Sequence, residues 1–185
     1  MKTNNQAFTL IELLIVISIV MIVLGYAIPS FSDLINRSKV DAKVSRLAQT
    51  LQLSRSVAIT NNTKVTMCPV NESLSCSSDW STGYISFIDS NGDRKFNPGE
   101  KLLFQHFSQE PKSKTRWRAF GHRRSLQWLG TGITNHQNGT FELCYADEQK
   151  LFRAIFITKT GRIRYSKDSN NDGFHENSKG GLITC

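Results

Sequence analysis

Residues 8–28 read FTLIELLIVISIVMIVLGYAI, a run whose only charge is Glu12. At about 20 residues per bilayer crossing, the run is long enough for one membrane-spanning helix. A secretory signal would place its apolar region before a small-residue cleavage site. Here the small residue Ala7 comes first, so only MKTNNQA is removable and the span survives processing. Lys2 is the single basic residue before the run, whereas Arg37, Lys39, Lys43 and Arg46 follow it. The basic-residue count alone would put the wrong end in the cytoplasm, so the short leader must set orientation. Glu12 costs a few kcal/mol near a membrane span unless it has a cationic partner. A cut between Ala7 and Phe8 would supply one: a new α-amino group, on this chain or a neighbour, four residues upstream of the acid.

Beyond the run the apolar positions continue at Val40, Val44, Leu47, Leu51 and Ala58, a helical stripe with steps of four, three, four and seven. Pro29 therefore kinks the helix rather than ending it. A helix from Phe8 to Thr60 would be roughly 80 Å long, half in membrane and half covering a soluble domain. Asn61 and Asn62, tolerant of left-handed backbone, are its terminators. After Asn62 come short β-prone runs separated by turn residues: KVTMC, GYISFI, KLLFQHF, SLQWL, TFELCY, FRAIFIT and RIRYS. The expected fold class is α+β, a long N-terminal helix packed on a small antiparallel β domain. Its parts are a leader at 1–7, a membrane helix at 8–28, an amphipathic continuation at 29–60 and a β-rich globular domain at 61–185.

The chain has 185 residues, 39% hydrophobic and 21% charged, which excludes disordered, collagen-like and polytopic membrane classes. Lys and Arg number 23 against 15 acids, a net charge of +8, which suits an anionic partner without naming it. Cys68, Cys76, Cys144 and Cys185 lack metal-ligand spacing and lie far in sequence from the histidines, so two disulfides fit better than zinc. Three pairings are possible. The favoured one joins sequence neighbours, Cys68 with Cys76 and Cys144 with Cys185. The second bridge would pin the polar tail from Lys167 to Gly181, worth roughly 4 kcal/mol by loop entropy against roughly 2.5 for the first.

FTLIELLIV, with Phe8 first and Glu12 fifth after the cut, resembles the class III signal of type IV pilins and type II secretion pseudopilins. The resemblance implies that a prepilin peptidase removes the leader and methylates the Phe8 amine, and that Glu12 aids packing of subunits into a filament. Ala7 stands where the family usually has Gly. A second resemblance rests on LAQTLQLSRSVAITNNTKVTMC, WSTGYISFIDSNGD, GTFELC and KTGRIR, which are similar to the GspH/FimT group of minor pilins and pseudopilins. It implies a pilin-like fold, other pilin subunits as partners, no enzyme activity and no cofactor. It also implies a single pass through the inner membrane with a periplasmic C-terminal domain, extracellular once assembled in a pilus.

No catalytic or nucleotide fingerprint occurs, and the isolated Gly130 and Gly132 do not make one. Two stretches approximate calcium loops: Asp89, Asn91, Asp93 and Glu100, with Arg94 where Gly is needed, and Asp168, Asn170, Asp172 and Gly173, with Lys179 where the closing Glu belongs. Turns are the better reading of both, so no metal is expected. Basic residues concentrate in two acid-free stretches. One holds Lys112, Lys114, Arg116, Arg118, Arg123 and Arg124; the other holds Lys150, Arg153, Lys159, Arg162, Arg164 and Lys167. Arg162 and Arg164 flank Ile163, which sets both guanidiniums on one strand face about 6.6 Å apart. Such a pair can hold successive phosphates, flanked by Lys159 and Lys167. Gly161 supplies the turn before them.

GRIR also resembles the G-R-x-R pattern of FimT-type minor pilins, which implies DNA binding by Gly161, Arg162 and Arg164 during natural transformation. Lys159, Lys167, Arg116, Arg118, Arg123 and Arg124 join that set on charge and spacing alone. Trp117, Phe120 and Trp128 are candidates for base stacking, although aromatic residues among strands are more often core. The expected function is a minor pilin binding DNA through its phosphate backbone, without sequence preference. The alternatives are a structural minor pilin that primes assembly and an H-type pseudopilin of type II secretion.

Overall fold

The computed structural model describes residues 9–108 and 110–185, without the side chains of residues 28–30 and 122. The leader, Ala7 and Phe8 lie outside the described residues. The chain divides into two compact units, Met1–Lys39 and Val40–Cys185.

Helix α1 runs Leu10–Thr60 and passes Pro29 without ending. Thr9 caps its start: the Thr9 hydroxyl accepts the Glu12 N–H at 3.3 Å, which places Glu12 at the third helical position, where a carboxylate opposes the positive end of the helix dipole. In the first unit the apolar side chains of α1 from Leu10 to Leu24 are exposed, and this stretch is long and apolar enough to cross a membrane.

In the second unit α1 supplies Leu47, Ala48, Leu51 and Ala58 to the main core, with Val44 packed beside them. The helix ends in a Schellman motif: Asn62 takes φ 45° and donates to the Ile59 carbonyl, and Thr63 donates to the Ala58 carbonyl. Eight strands follow: β1 (Val65–Pro69), β2 (Gly83–Ile88), β3 (Leu102–Phe107), β4 (Ser113–Ala119), β5 (Leu126–Trp128), β6 (Gly139–Tyr145), β7 (Arg153–Ile157) and β8 (Ile163–Tyr165). They form two antiparallel sheets, ordered β3-β2-β1-β5 and β4-β6-β7-β8. Val65, Met67 and Trp128 of the first sheet and Phe141, Leu143 and Ile155 of the second meet the helix in one core.

Three features were not read from the sequence. Strand β4 was not among the expected runs; its inward residues include Ser113 and Thr115, so its alternation is carried by charge rather than apolarity. The division of the antiparallel β domain into two sheets is a second. The tail after Lys167 is knitted by its own side chains as well as by Cys185. Asp168 accepts the N–H groups of Asp172 and Gly173, Asn177 accepts those of Lys179 and Gly181, and Glu176 pairs with Leu182. Cys68 is bonded to Cys76 and Cys144 to Cys185.

Candidate nucleic-acid interface

The candidate site lies on the β8 edge of the second sheet. The β7–β8 hairpin closes through mutual bonds between Thr158 and Arg162, with the Gly161 N–H donating to the Thr158 carbonyl. Gly161 is buried at φ 80°, and a Cβ there would collide with the Gly132 carbonyl and the Arg55 guanidinium. Arg55 itself donates from Nε to the Gly132 carbonyl at 2.8 Å and from Nη2 to that of Thr160 at 3.4 Å. Gly161 is thus required by the turn and by close backbone approach. Gly130 and Gly132 serve the same end, packing against Asn62 and Ile59 at the helix terminus.

With the turn fixed, Arg162, just before β8, and Arg164, within it, are exposed, while Ile163 between them packs toward the core. No ion pair among the described residues engages either arginine. Both line an open groove of about 820 Å³ between β8 and the tail, with Lys167 on the same wall. Glu176 is the acid on that wall, and its two oxygens accept the Ser169 N–H at 3.2 and 3.0 Å. Lys159 is exposed beyond β7 and shares a second groove with Arg164. The structure therefore brings Arg162, Arg164, Lys159 and Lys167 into one neighbourhood.

Arg116 and Arg118 do not join it. Register places Arg118, Thr140, Phe156 and Arg164 in one row across the sheet, so Arg118 faces the same side as Arg164 but three strand steps away, roughly 14 Å. Its guanidinium is occupied: Nε pairs with Glu142 at 2.9 Å, and Nη2 donates to the carbonyl and hydroxyl of Thr184. Arg118 is a strap for the tail. Burial raises the Glu142 pKa, and the Arg118 charge opposes that rise. Of the remaining cations, Lys114 pairs with Asp147, and Arg153 pairs with Asp41 of α1. Arg123 and Arg124 are exposed just after the turn at 120–122; Arg123 lies near Arg94, whose pKa falls through burial and then through the Arg123 charge.

The calcium-like loops are built as turns. Asp89 is fully buried, and its carboxylate accepts the Thr66 hydroxyl, the Gln127 amide and the Gly92 and Arg94 N–H groups. Glu100 accepts the Ser90 and Asn97 N–H groups. Among the aromatic candidates, Trp128 is wholly buried and Trp117 stacks on Phe141 at 4.3 Å, so both belong to the core. Phe120 does not; it is 71% exposed.

The chain matches two family models: type II transport protein GspH over residues 43–161, and the prokaryotic N-terminal methylation motif over residues 2–28. It is similar to the pilin-like protein PilA1 of Thermus thermophilus, 32% identical over 61% of this chain and 67% of that one. The type IV major fimbrial protein FimA of Dichelobacter nodosus is 42% identical over 28% of this chain and 37% of its own length. Among solved structures, the type IV minor pilin FimU of Pseudomonas aeruginosa superposes with a TM-score of 0.56 at 18% identity, over 72% of this chain and 92% of that one. This last likeness concerns the fold.

Proposed function

The chain belongs to the family of type II transport protein GspH, and from that premise we propose that it is a minor pilin of a type IV pilus that binds DNA for uptake in natural transformation. Family and methylation motif together set the class as a minor pilin or pseudopilin, an assembly protein processed by a prepilin peptidase and partnered by other pilin subunits. The DNA assignment goes further. The observation that carries it is the exposed Arg162 and Arg164 pair beside an open groove, free of the ion pairs that occupy Arg118 and Arg153.

Guanidiniums held by a rigid turn can donate to successive phosphates without reading bases, so binding is independent of sequence. Lys159 and Lys167 add charge on either flank. Cleavage between Ala7 and Phe8 leaves the Phe8 amine for methylation and for Glu12 to neutralise within a bundle of N-terminal helices. The apolar helix holds the protein in the inner membrane, with its globular domain periplasmic, until assembly carries it outside.

The alternative is a purely structural reading, a minor pilin that primes assembly or an H-type pseudopilin; the match to type II transport protein GspH favours its pseudopilin form. It assigns Arg162 and Arg164 to contacts with a neighbouring subunit. The double variant Arg162→Gln, Arg164→Gln separates the readings. DNA uptake predicts lost DNA affinity with normal piliation; the structural reading predicts a piliation defect and no affinity in the native protein.

A further inference from the structure

Phe120 follows the last residue of β4 and sits at 71% exposure in a 3-10 turn, its N–H held by the Asn138 carbonyl. Lys159, from the far end of β7, places its amine 5.9 Å from the centre of that ring. Register explains the meeting: Ala119, Gly139, Ile157 and Ile163 form one row, so Phe120 and Lys159 leave the sheet at the same end. The groove of about 330 Å³ that Lys159 lines is shared with Arg164 and Thr140. A path thus runs from the arginine pair through Lys159 to an aromatic face standing in water.

We propose that Phe120 is a base-stacking platform and that this surface takes single-stranded DNA in preference to duplex. This deepens the DNA reading and rests on it. A ring left in water gains nothing from the core, whereas a nucleobase laid on it regains stacking; duplex bases, already stacked on one another, present no free face. The Lys159 amine over the ring then serves the phosphate beside the stacked base, continuing the charge line from Arg164. Trp117 and Trp128 are in the core, and Tyr165 on the arginine groove is less exposed, at 46%, so Phe120 is the ring most open to a base.

The test uses the full chain in detergent micelles, titrated at low salt with labelled oligothymidine and with a duplex of equal phosphate number. Phe120→Ala weakens oligothymidine binding roughly fivefold to tenfold and leaves duplex affinity within about twofold, and Phe120→Trp restores the single-strand preference. Because the ring is exposed, neither substitution removes core packing. Unchanged oligothymidine affinity in Phe120→Ala, or equal losses for both strands, overturns the platform while leaving phosphate binding standing; it would also be the signature of a ring reserved for a neighbouring subunit. A native chain that binds neither probe overturns the DNA reading beneath it.

Discussion

Gly161 and its two arginines look alike as a sequence motif but carry different burdens. Gly161→Ala forces a Cβ into the Gly132 carbonyl and the Arg55 guanidinium from a left-handed backbone. It should cost about 1–3 kcal/mol, read as a lowered thermal midpoint. Arg162→Gln and Arg164→Gln, exposed and outside the ion pairs, should stay within about 0.5 kcal/mol of the native chain in the same melt. A binding defect at Gly161 therefore reports the turn, whereas one at either arginine reports contact. Lys43 offers a test of the core. Its amine donates to the Ser113 hydroxyl at 2.6 Å, and burial lowers its pKa to about 8 from 10.5, opposed by the Glu110 charge. Between those values the unfolded chain binds more protons than the folded one, so this group makes stability rise with pH across that window. Lys43→Met should flatten the rise relative to the native chain in denaturant melts from pH 8 to 10; an unchanged profile would place the amine in water.

The elements differ in how plainly the sequence announces them. Helix α1 was legible because Val40, Leu47, Leu51 and Ala58 keep helical spacing and are all buried, and because Asn62 ends it in the left-handed region. Strand β4 was not, since Ser113 and Thr115 turn inward where an apolar pattern would have marked the strand; the outward Lys114, Arg116 and Arg118 looked like a basic patch. The arginine pair on β8 was legible from period-two alternation around Ile163. The separation of Arg118 from it was not, because that follows from strand order and from Thr184 returning along the chain to meet Arg118. The tail gives a prediction at this scale. Its Ile183 is buried with Cys144, Phe152, Ala154 and Phe156 on the outer face of the second sheet. Replacing Cys144 and Cys185 by Ser should lower stability by roughly 4 kcal/mol at most. Hydrogen exchange should rise across residues 167–185 while β1 and β2 keep their protection. Protection unchanged along the tail would mean that the Asx turns and Arg118 suffice to hold it.

At the scale of the whole molecule, labour is divided between the two units. The N-terminal unit carries an apolar helix capped by Thr9 with Glu12 in its first turn, suited to the membrane and then to a bundle of like helices. The globular unit carries a rigid two-sheet core with an exposed cationic edge. On the function proposed above, this edge holds DNA by phosphate charge. The measurement that tests it most directly is the salt dependence of affinity for unrelated duplexes, using the full chain in detergent micelles alongside its Arg162→Gln and Arg164→Gln variants. Four phosphate contacts predict a slope of about −3 to −4 in log affinity against log salt, affinity in the range of roughly 1 to 100 μM, and a loss of about one unit of slope for each arginine removed, equal for every sequence. Absence of affinity even at low ionic strength, or a slope that neither substitution changes, would contradict the claim.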